Sequence, residues 1–216
     1  MVVRNNHYSI AHSMTNNAEE SILYTPLMMA AFRKAGYQEI AELIKQCENI
    51  NATEYEGRTA LMYALRYDCV KDIIELFLQN GADINAKDEL KQTPLMYAVI
   101  QHEHLEIIKM LIDAGADVNC KNTWGWTALD TAAIFNQHLN VLKLLLKYDS
   151  NVNNVDIHSK TLLMNVVENN ENPEIMKTLL AHGADKTIKD KDGLTAYDYA
   201  IESNRPELID MLQIKP

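Results

Sequence analysis

Several residue groups in the chain have types and spacings that chemistry could use, and each reads more simply as structure. His102 and His104 form an H-x-H pair of the kind that ligates a metal. No cysteine or third histidine stands at a metal-like spacing from them, so they read as solvated side chains. Asp190, Asp192 and Gly193 match the middle of a calcium-binding loop, but Ile188 and Tyr199 occupy its first and twelfth liganding positions, which need oxygen. Cys47, Cys69 and Cys120 have no assignable histidine or acid beside them, which leaves packing and turn roles rather than nucleophilic ones. The sequon at Asn51 lacks a secretory context. No glycine-rich phosphate loop occurs. Glu20, Glu54, Asp88, Asn122, Asp156 and Asp190 recur at one fixed interval, where a side-chain oxygen closes a turn. These observations predict no catalytic residues, no metal, no cofactor and no enzymatic activity.

That fixed interval leads to the elements. The segments beginning at Thr25, Thr59, Thr93, Thr127, Thr161 and Thr195 (TPLMMA, TALMYA, TPLMYA, TALDTA, TLLMNV, TAYDYA) start every 34 residues, six times in register. A second signature runs in phase: Gly81-Ala-Asp-Ile-Asn85, Gly115-Ala-Asp-Val-Asn119, the degraded Asp149-Ser-Asn-Val-Asn153 and Gly183-Ala-Asp-Lys-Thr187. Between them lies an amphipathic stretch such as that from Glu106 to Ile112.

One unit can be built from its residues. The Thr93 hydroxyl caps a first helix of about residues 94–101, Pro94 sits at its first position where a missing N–H costs nothing, and Leu95 and Ala98 share a face. A second helix, about 105–113, carries Ile107, Ile108, Leu111 and Ile112 on one stripe and stops at Gly115, which tolerates a left-handed backbone. Each helix is about two turns long and unstable alone, so stacking of repeats must supply the stability. Ala30, Ala64, Ala98, Ala132 and Ala200 allow close helix approach, and Val166 adds bulk at the same position in the fifth repeat.

These words resemble the ankyrin repeat over about residues 20–216. The resemblance implies an all-α solenoid of six helix-turn-helix repeats with hairpin loops. It forms one domain with repeats at 20–53, 54–87, 88–121, 122–155, 156–189 and 190–216, and residues 1–19 are a leader or cap. The departures are informative. Thr93 to Glu106 spans 13 positions and Thr195 to Glu207 spans 12, so the last repeat lacks an extra residue present in the inner ones. Where the family has a loop-bracing histidine, this chain has Met28, Met62, Met96 and Met164 and the acids Asp130 and Asp198, which removes that hydrogen bond. The hairpin glycine, present as Gly57, Gly125 and Gly193, is replaced by Lys91 and Ser159, at a cost if the backbone needs positive φ there. Asp210 and Gln213 are read as polar substitutes for Ile108 and Leu111, making the last repeat a cap whose removal exposes Leu179 and Leu180.

Composition bounds the partner. The formal charge of −10 disfavours nucleic acid and anionic lipid, three cysteines at wide spacing suit a reducing compartment, and no run of residues is long and apolar enough to span a bilayer. The first twenty residues also lack a secretory signal's apolar stretch, so the expected setting is the cytoplasm. The resemblance further implies a concave face made of hairpin tips and the exposed ends of the first helices. Its residues would be Tyr55, Arg58, Arg66 and Tyr67 in the second repeat, Leu90 and Ile100 in the third, and Trp124, Trp126, Ile134 and Phe135 in the fourth. The same surface would include Glu56 in the second repeat, Glu89, Gln92 and Gln101 in the third, Thr123 in the fourth, and Ile157, His158, Lys160, Glu168 and Asn169 in the fifth. Both tryptophans of the chain fall on one hairpin, which marks the expected centre. The expectation is a monomeric, non-catalytic adaptor binding a protein partner. A bacterial host-directed effector scaffold, suggested by the Asn- and Lys-rich composition of AT-rich genomes, and a self-assembling structural protein stand beside it. A catalytic pocket would need an insertion, and none exceeds one residue.

Overall fold

The computed structural model describes residues 24–101, 105–135, 138–148 and 151–213. The leader at 1–19, Glu20, the His102 and His104 pair and the Asp149-Ser150 part of the degraded motif lie outside them. The described residues form twelve α-helices in six pairs: α1 (Pro26–Phe32), α2 (Tyr37–Gln46), α3 (Ala60–Arg66), α4 (Lys71–Gln79), α5 (Pro94–Gln101), α6 (Leu105–Asp113), α7 (Ala128–Phe135), α8 (Leu139–Leu145), α9 (Leu162–Asn169), α10 (Pro173–Ala181), α11 (Ala196–Glu202) and α12 (Pro206–Leu212). Among these residues there is no strand, only an isolated antiparallel bridge from Val155 to Thr161. The chain is an all-α solenoid, as its repeat pattern requires.

The first helices begin as expected. Thr25, Thr59, Thr93 and Thr161 each accept a hydrogen bond from the backbone N–H three residues on, at 3.2 to 3.4 Å. Each cap satisfies one of the donors that a helix start leaves orphaned. Gly81, Gly115 and Gly183 end the second helices with φ of 84°, 98° and 86°. Cys47, at the same position in the first repeat, does not: its φ is −74°, and its thiol donates back to Ile44 O instead.

Chain contacts group the protein into two compact units, Met1–Ala82 and Asp83–Pro216. In the first, α1 packs on α3 and α2 on α4. In the second, α5, α7, α9 and α11 pack in succession, and α6, α8, α10 and α12 form a parallel row beside them. Each row buries its small and aliphatic residues: Ala98, Ala132, Val166 and Ala200 are all buried, Val166 included.

The same carbonyl is tied down along the rows. Ala133 O accepts from Asn170 Nδ2 at 2.7 Å, and Val167 O, one repeat on, accepts from Arg205 Nη1 at 3.0 Å. In the first unit Ala31 O receives the Cys69 thiol at 3.5 Å. Each donor comes from the next repeat's inter-helical turn, so a carbonyl near a helix end gains a partner across the repeat boundary.

One reading of the last repeat is corrected. Because that repeat is one residue shorter, Leu208, Ile209 and Leu212 take the places of Ile107, Ile108 and Leu111, while Asp210 and Gln213 align with Lys109 and Ile112. Leu208 and Leu212 are buried, and Asp210 and Gln213 face solvent. The inward stripe of α12 is therefore as apolar as any inner one.

Candidate functional site

The hairpins are closed by the recurring polar residue. Asn122 Oδ1 accepts from the N–H groups of Trp124 and Trp126, both at 3.0 Å. Glu54, Asp156 and Asp190 each receive the equivalent pair of bonds, and Asp88 Oδ1 accepts from Gln92 N at 2.7 Å. A second clamp comes from nine residues further on: Tyr97 Oη donates to Asp88 Oδ2 and Tyr199 Oη to Asp190 Oδ2, both at 2.7 Å, and Asn165 Nδ2 to Asp156 Oδ2 at 3.2 Å. In these three repeats the clamp pins the hairpin to the second turn of its own first helix. The signal was present as a recurring acid and a polar residue at a spacing of nine, and sequence reasoning passed over it.

The tryptophan hairpin is bonded to both of its neighbours. Thr123 N donates to Leu90 O at 2.9 Å, Ile157 N donates to Trp124 O at 3.1 Å, and Asn154 Nδ2 donates to Gly125 O at 2.8 Å. Gly125 has φ of 81°, and a Cβ there would lie 3.1 Å from Asp156 Cα, so any other residue would be strained in its backbone and crowd the neighbouring hairpin. The expected strain at the substituted glycines is present: Lys91 and Ser159 have φ of 57° and 61°.

On this platform the rings of Trp124 and Trp126 lie 5.5 Å apart at 30°, and Phe135 sits 5.7 Å from Trp126 at 60°. All three are half-buried, with Leu90 and Ile157 exposed at 41% and 61% on the adjoining hairpins. The structure thus gathers Leu90, Trp124, Trp126 and Phe135 into neighbouring positions, and Ile100 is half-buried on α5. Two expected face residues are corrected. Ile134 is 2% exposed on the inward side of α7, and Arg58 is 7% exposed with its guanidinium paired to Glu56, so neither side chain is available to a partner.

The first unit carries its own aromatic group. Tyr24 packs edge-on against Tyr55 and Tyr63, at 6.4 and 6.1 Å between ring centres, Tyr63 stacks on Tyr67, and Phe32 meets Tyr67 edge-on at 4.7 Å. Tyr55 is 55% exposed and Tyr67 half-buried, with the Arg66 guanidinium 5.9 Å over the Tyr67 ring. Burial pushes the Tyr24 phenol up to about 12 and the Tyr63 phenol still higher, so both are neutral packing rings. Tyr24, Tyr63 and Phe32 were not anticipated; Tyr24 stands at the Trp126 position of its own repeat, which was the available signal.

The missing histidine brace is replaced by another bond. Asp130 Oδ2 accepts from Thr127 N and Oγ1 at 2.8 and 2.7 Å and from Asn154 Nδ2 at 2.8 Å, so Asn154 joins a helix start, a hairpin carbonyl and its own loop. Asp198 makes the same pair of bonds with Thr195. Met164 Sδ accepts from Thr161 N at 3.3 Å, a weaker version of the same contact. A second set of cross-repeat bonds runs through the Asn of the second signature: Asn51, Asn85 and Asn153 each donate Nδ2 to the glycine carbonyl one repeat on, at 3.0, 2.9 and 3.2 Å. His182 Nδ1 lies 2.8 Å from Thr178 O, and since a carbonyl only accepts, that nitrogen carries the proton.

A polar cleft of about 460 Å³ is lined by Asn119, Lys121, Thr127, Asn151 and Asn154, with none of the aromatic residues on its wall. Burial lifts the Cys69 thiol to about 11, which keeps it protonated at neutral pH. Among the described residues no group of three or more His, Cys, Asp or Glu is placed to hold a metal ion, and no helix is long and apolar enough to cross a membrane.

A family model for ankyrin repeats in three copies matches residues 1–88 and 71–156, and one for ankyrin repeats in many copies matches residues 145–200. The chain belongs to the ankyrin-repeat family. Proteins of this family are generally protein–protein interaction modules and typically non-catalytic. A search of curated proteins returned no match.

Proposed function

We propose that this chain is a protein-binding adaptor that reads its partner with hairpin tips and the exposed ends of first helices. In the second unit the reading surface centres on Trp124 and Trp126, with Leu90, Ile100 and Phe135 around them. In the first unit Tyr55, Arg66 and Tyr67 form the corresponding surface. The observation that carries this reading is the tryptophan hairpin. Two large, half-exposed aromatic residues sit on a loop held by hydrogen bonds from both neighbouring hairpins. Rigid aromatic side chains of this kind are what interface hot spots use, because little conformational freedom is lost on binding.

The adaptor acts as a monomer in the cytoplasm, in keeping with three unpaired thiols and a charge of −10, and engages neither nucleic acid nor membrane. Capture from a lysate with the intact chain and with a Trp124→Ala, Trp126→Ala variant, compared by quantitative mass spectrometry, tests the face. Proteins enriched on the wild type and depleted on the variant support it. An identical captured set on both places the binding surface elsewhere.

A further inference from the structure

We propose, resting on the reading above, that the Trp124 and Trp126 rings receive a cationic side chain, arginine or lysine, from a basic segment of the protein partner. Aromatic rings carry negative charge density on their faces and positive density at their edges, and tryptophan is the strongest receptor for a cation over its face. The Trp126 Nε1–H, the most positive point of that indole's edge, is buried, so what the half-exposed side chain offers to solvent is ring carbon. Trp124 lies beside it, with ring centres 5.5 Å apart and planes tilted by 30°, so two half-buried indoles meet at one place on the hairpin.

The chain uses this interaction elsewhere but not here. Lys160 Nζ stands 4.6 Å over the Tyr199 ring and Arg66 5.9 Å over Tyr67, whereas among the described residues no cation stands over Trp124, Trp126 or Phe135. Lys160, on the next hairpin, is also bonded to both Glu168 carboxylate oxygens at 2.9 and 2.8 Å, so its charge is compensated and does not repel an arriving cation. At long range the net charge of −10 attracts a basic segment and repels an acidic one. The charge of the chain and the paired indoles therefore favour the same chemistry.

The two residues are the chain's only tryptophans, so intrinsic emission reports on this site alone. The probes are a synthetic peptide of alternating glycine and arginine and its counterpart with citrulline, which keeps the planar shape and loses the charge. The expected result is that the arginine peptide alters tryptophan emission and binds at least about fivefold more tightly than the citrulline peptide. A Trp124→Leu, Trp126→Leu variant, followed with labelled peptides, should lose about that factor for arginine and little for citrulline. The single Trp124→Leu variant serves if the double one does not fold. Equal binding of the two peptides by wild type, or arginine binding that persists in the leucine variants, overturns the cation proposal. If the two peptides bind equally and both are lost on substitution to alanine, the face reading survives without its cation. If arginine binding ignores the alanine variant as well, the face reading falls with it.

Discussion

Asp130 and Asp198 occupy the same repeat position and accept the same pair of bonds from a threonine, yet their acidities move in opposite directions. Asp130 is almost fully buried, and desolvation raises its pKa above the ordinary value of 3.8 despite its bonds to Thr127 and Asn154. At Asp198 the bonds from Thr195 dominate and lower it. A raised folded-state pKa gives stability that is complete below the unfolded value and is lost as pH rises through the folded one. A lowered pKa gives stability that is present above the unfolded value and is lost as pH falls through the folded one. Urea melts of Asp130→Asn and Asp198→Asn against pH should therefore diverge. Relative to wild type, Asp130→Asn gains as pH rises above about 3.8, and Asp198→Asn gains as pH falls below it. Parallel curves would contradict the assignment of burial at one site and hydrogen bonding at the other.

The strained hairpin residues allow a second test at this scale. Lys91→Gly and Ser159→Gly should each raise stability by about 0.5–1 kcal/mol in denaturant melts, since the native φ there suits glycine and costs other residues about 1–2 kcal/mol, part of which the more flexible unfolded chain takes back. Gly125→Ala should lower it by about 1–3 kcal/mol, because a Cβ would meet the Asp156 backbone and the φ is left-handed. The strain was legible from the missing glycines at 91 and 159. The packing at Gly125 was not, because a contact between hairpins has no trace in the local sequence.

At the scale of the element, the helices and their caps were readable almost to the residue: 94–101 and 105–113 are α5 and α6. Threonine, proline and glycine specify helix ends through local geometry, so a single repeat carries the information. The register of α12 was misread because a one-residue deletion shifts which residues point inward. Less legible were the bonds that cross repeats. Asn154 reads as a polar intruder where Ala52, Ala86 and Cys120 stand, and only the fold shows it reaching Asp130 and Gly125. Asn170 is similar: its side chain is buried with its amide on Ala133 O. Asn170→Ala removes the buried bond to that carbonyl and should cost about 1–3 kcal/mol by urea denaturation. Cys69→Ala should cost less, since a thiol is a weak donor and its contact is 3.5 Å long. A reversed order would show that the repeat boundary is held by packing rather than by these bonds.

For the whole molecule, the repeat period announced the stack of helix pairs, because no repeat of this length buries its own apolar face. The candidate face was legible in part. Variation at hairpin tips within a constant frame singled out Leu90, which the structure leaves exposed, and Trp124, Trp126 and Phe135, which it leaves half-buried. The same reasoning included Ile134 and Arg58, whose burial depends on neighbouring repeats and so escapes a reading taken one repeat at a time. The last repeat covers the fifth through contacts of α11 with α9 and α12 with α10. Deleting residues 190–216 should therefore uncover Leu179, fully buried in the intact chain, and give aggregation or loss of a cooperative melt. A truncated chain that stays monomeric with unchanged stability would show that the fifth repeat needs no cover.

The central claim is that Trp124 and Trp126 anchor a protein partner. It is tested most directly by measuring the affinity of a captured partner for wild type and for the Trp124→Ala, Trp126→Ala variant, with helical circular dichroism recorded on both. Truncating a central aromatic anchor costs about 2 kcal/mol or more, so the variant should bind roughly thirtyfold or more weakly while its helical signal is unchanged. Unchanged affinity in a folded variant would contradict the account, and loss of the helical signal would show the two rings to be packing residues.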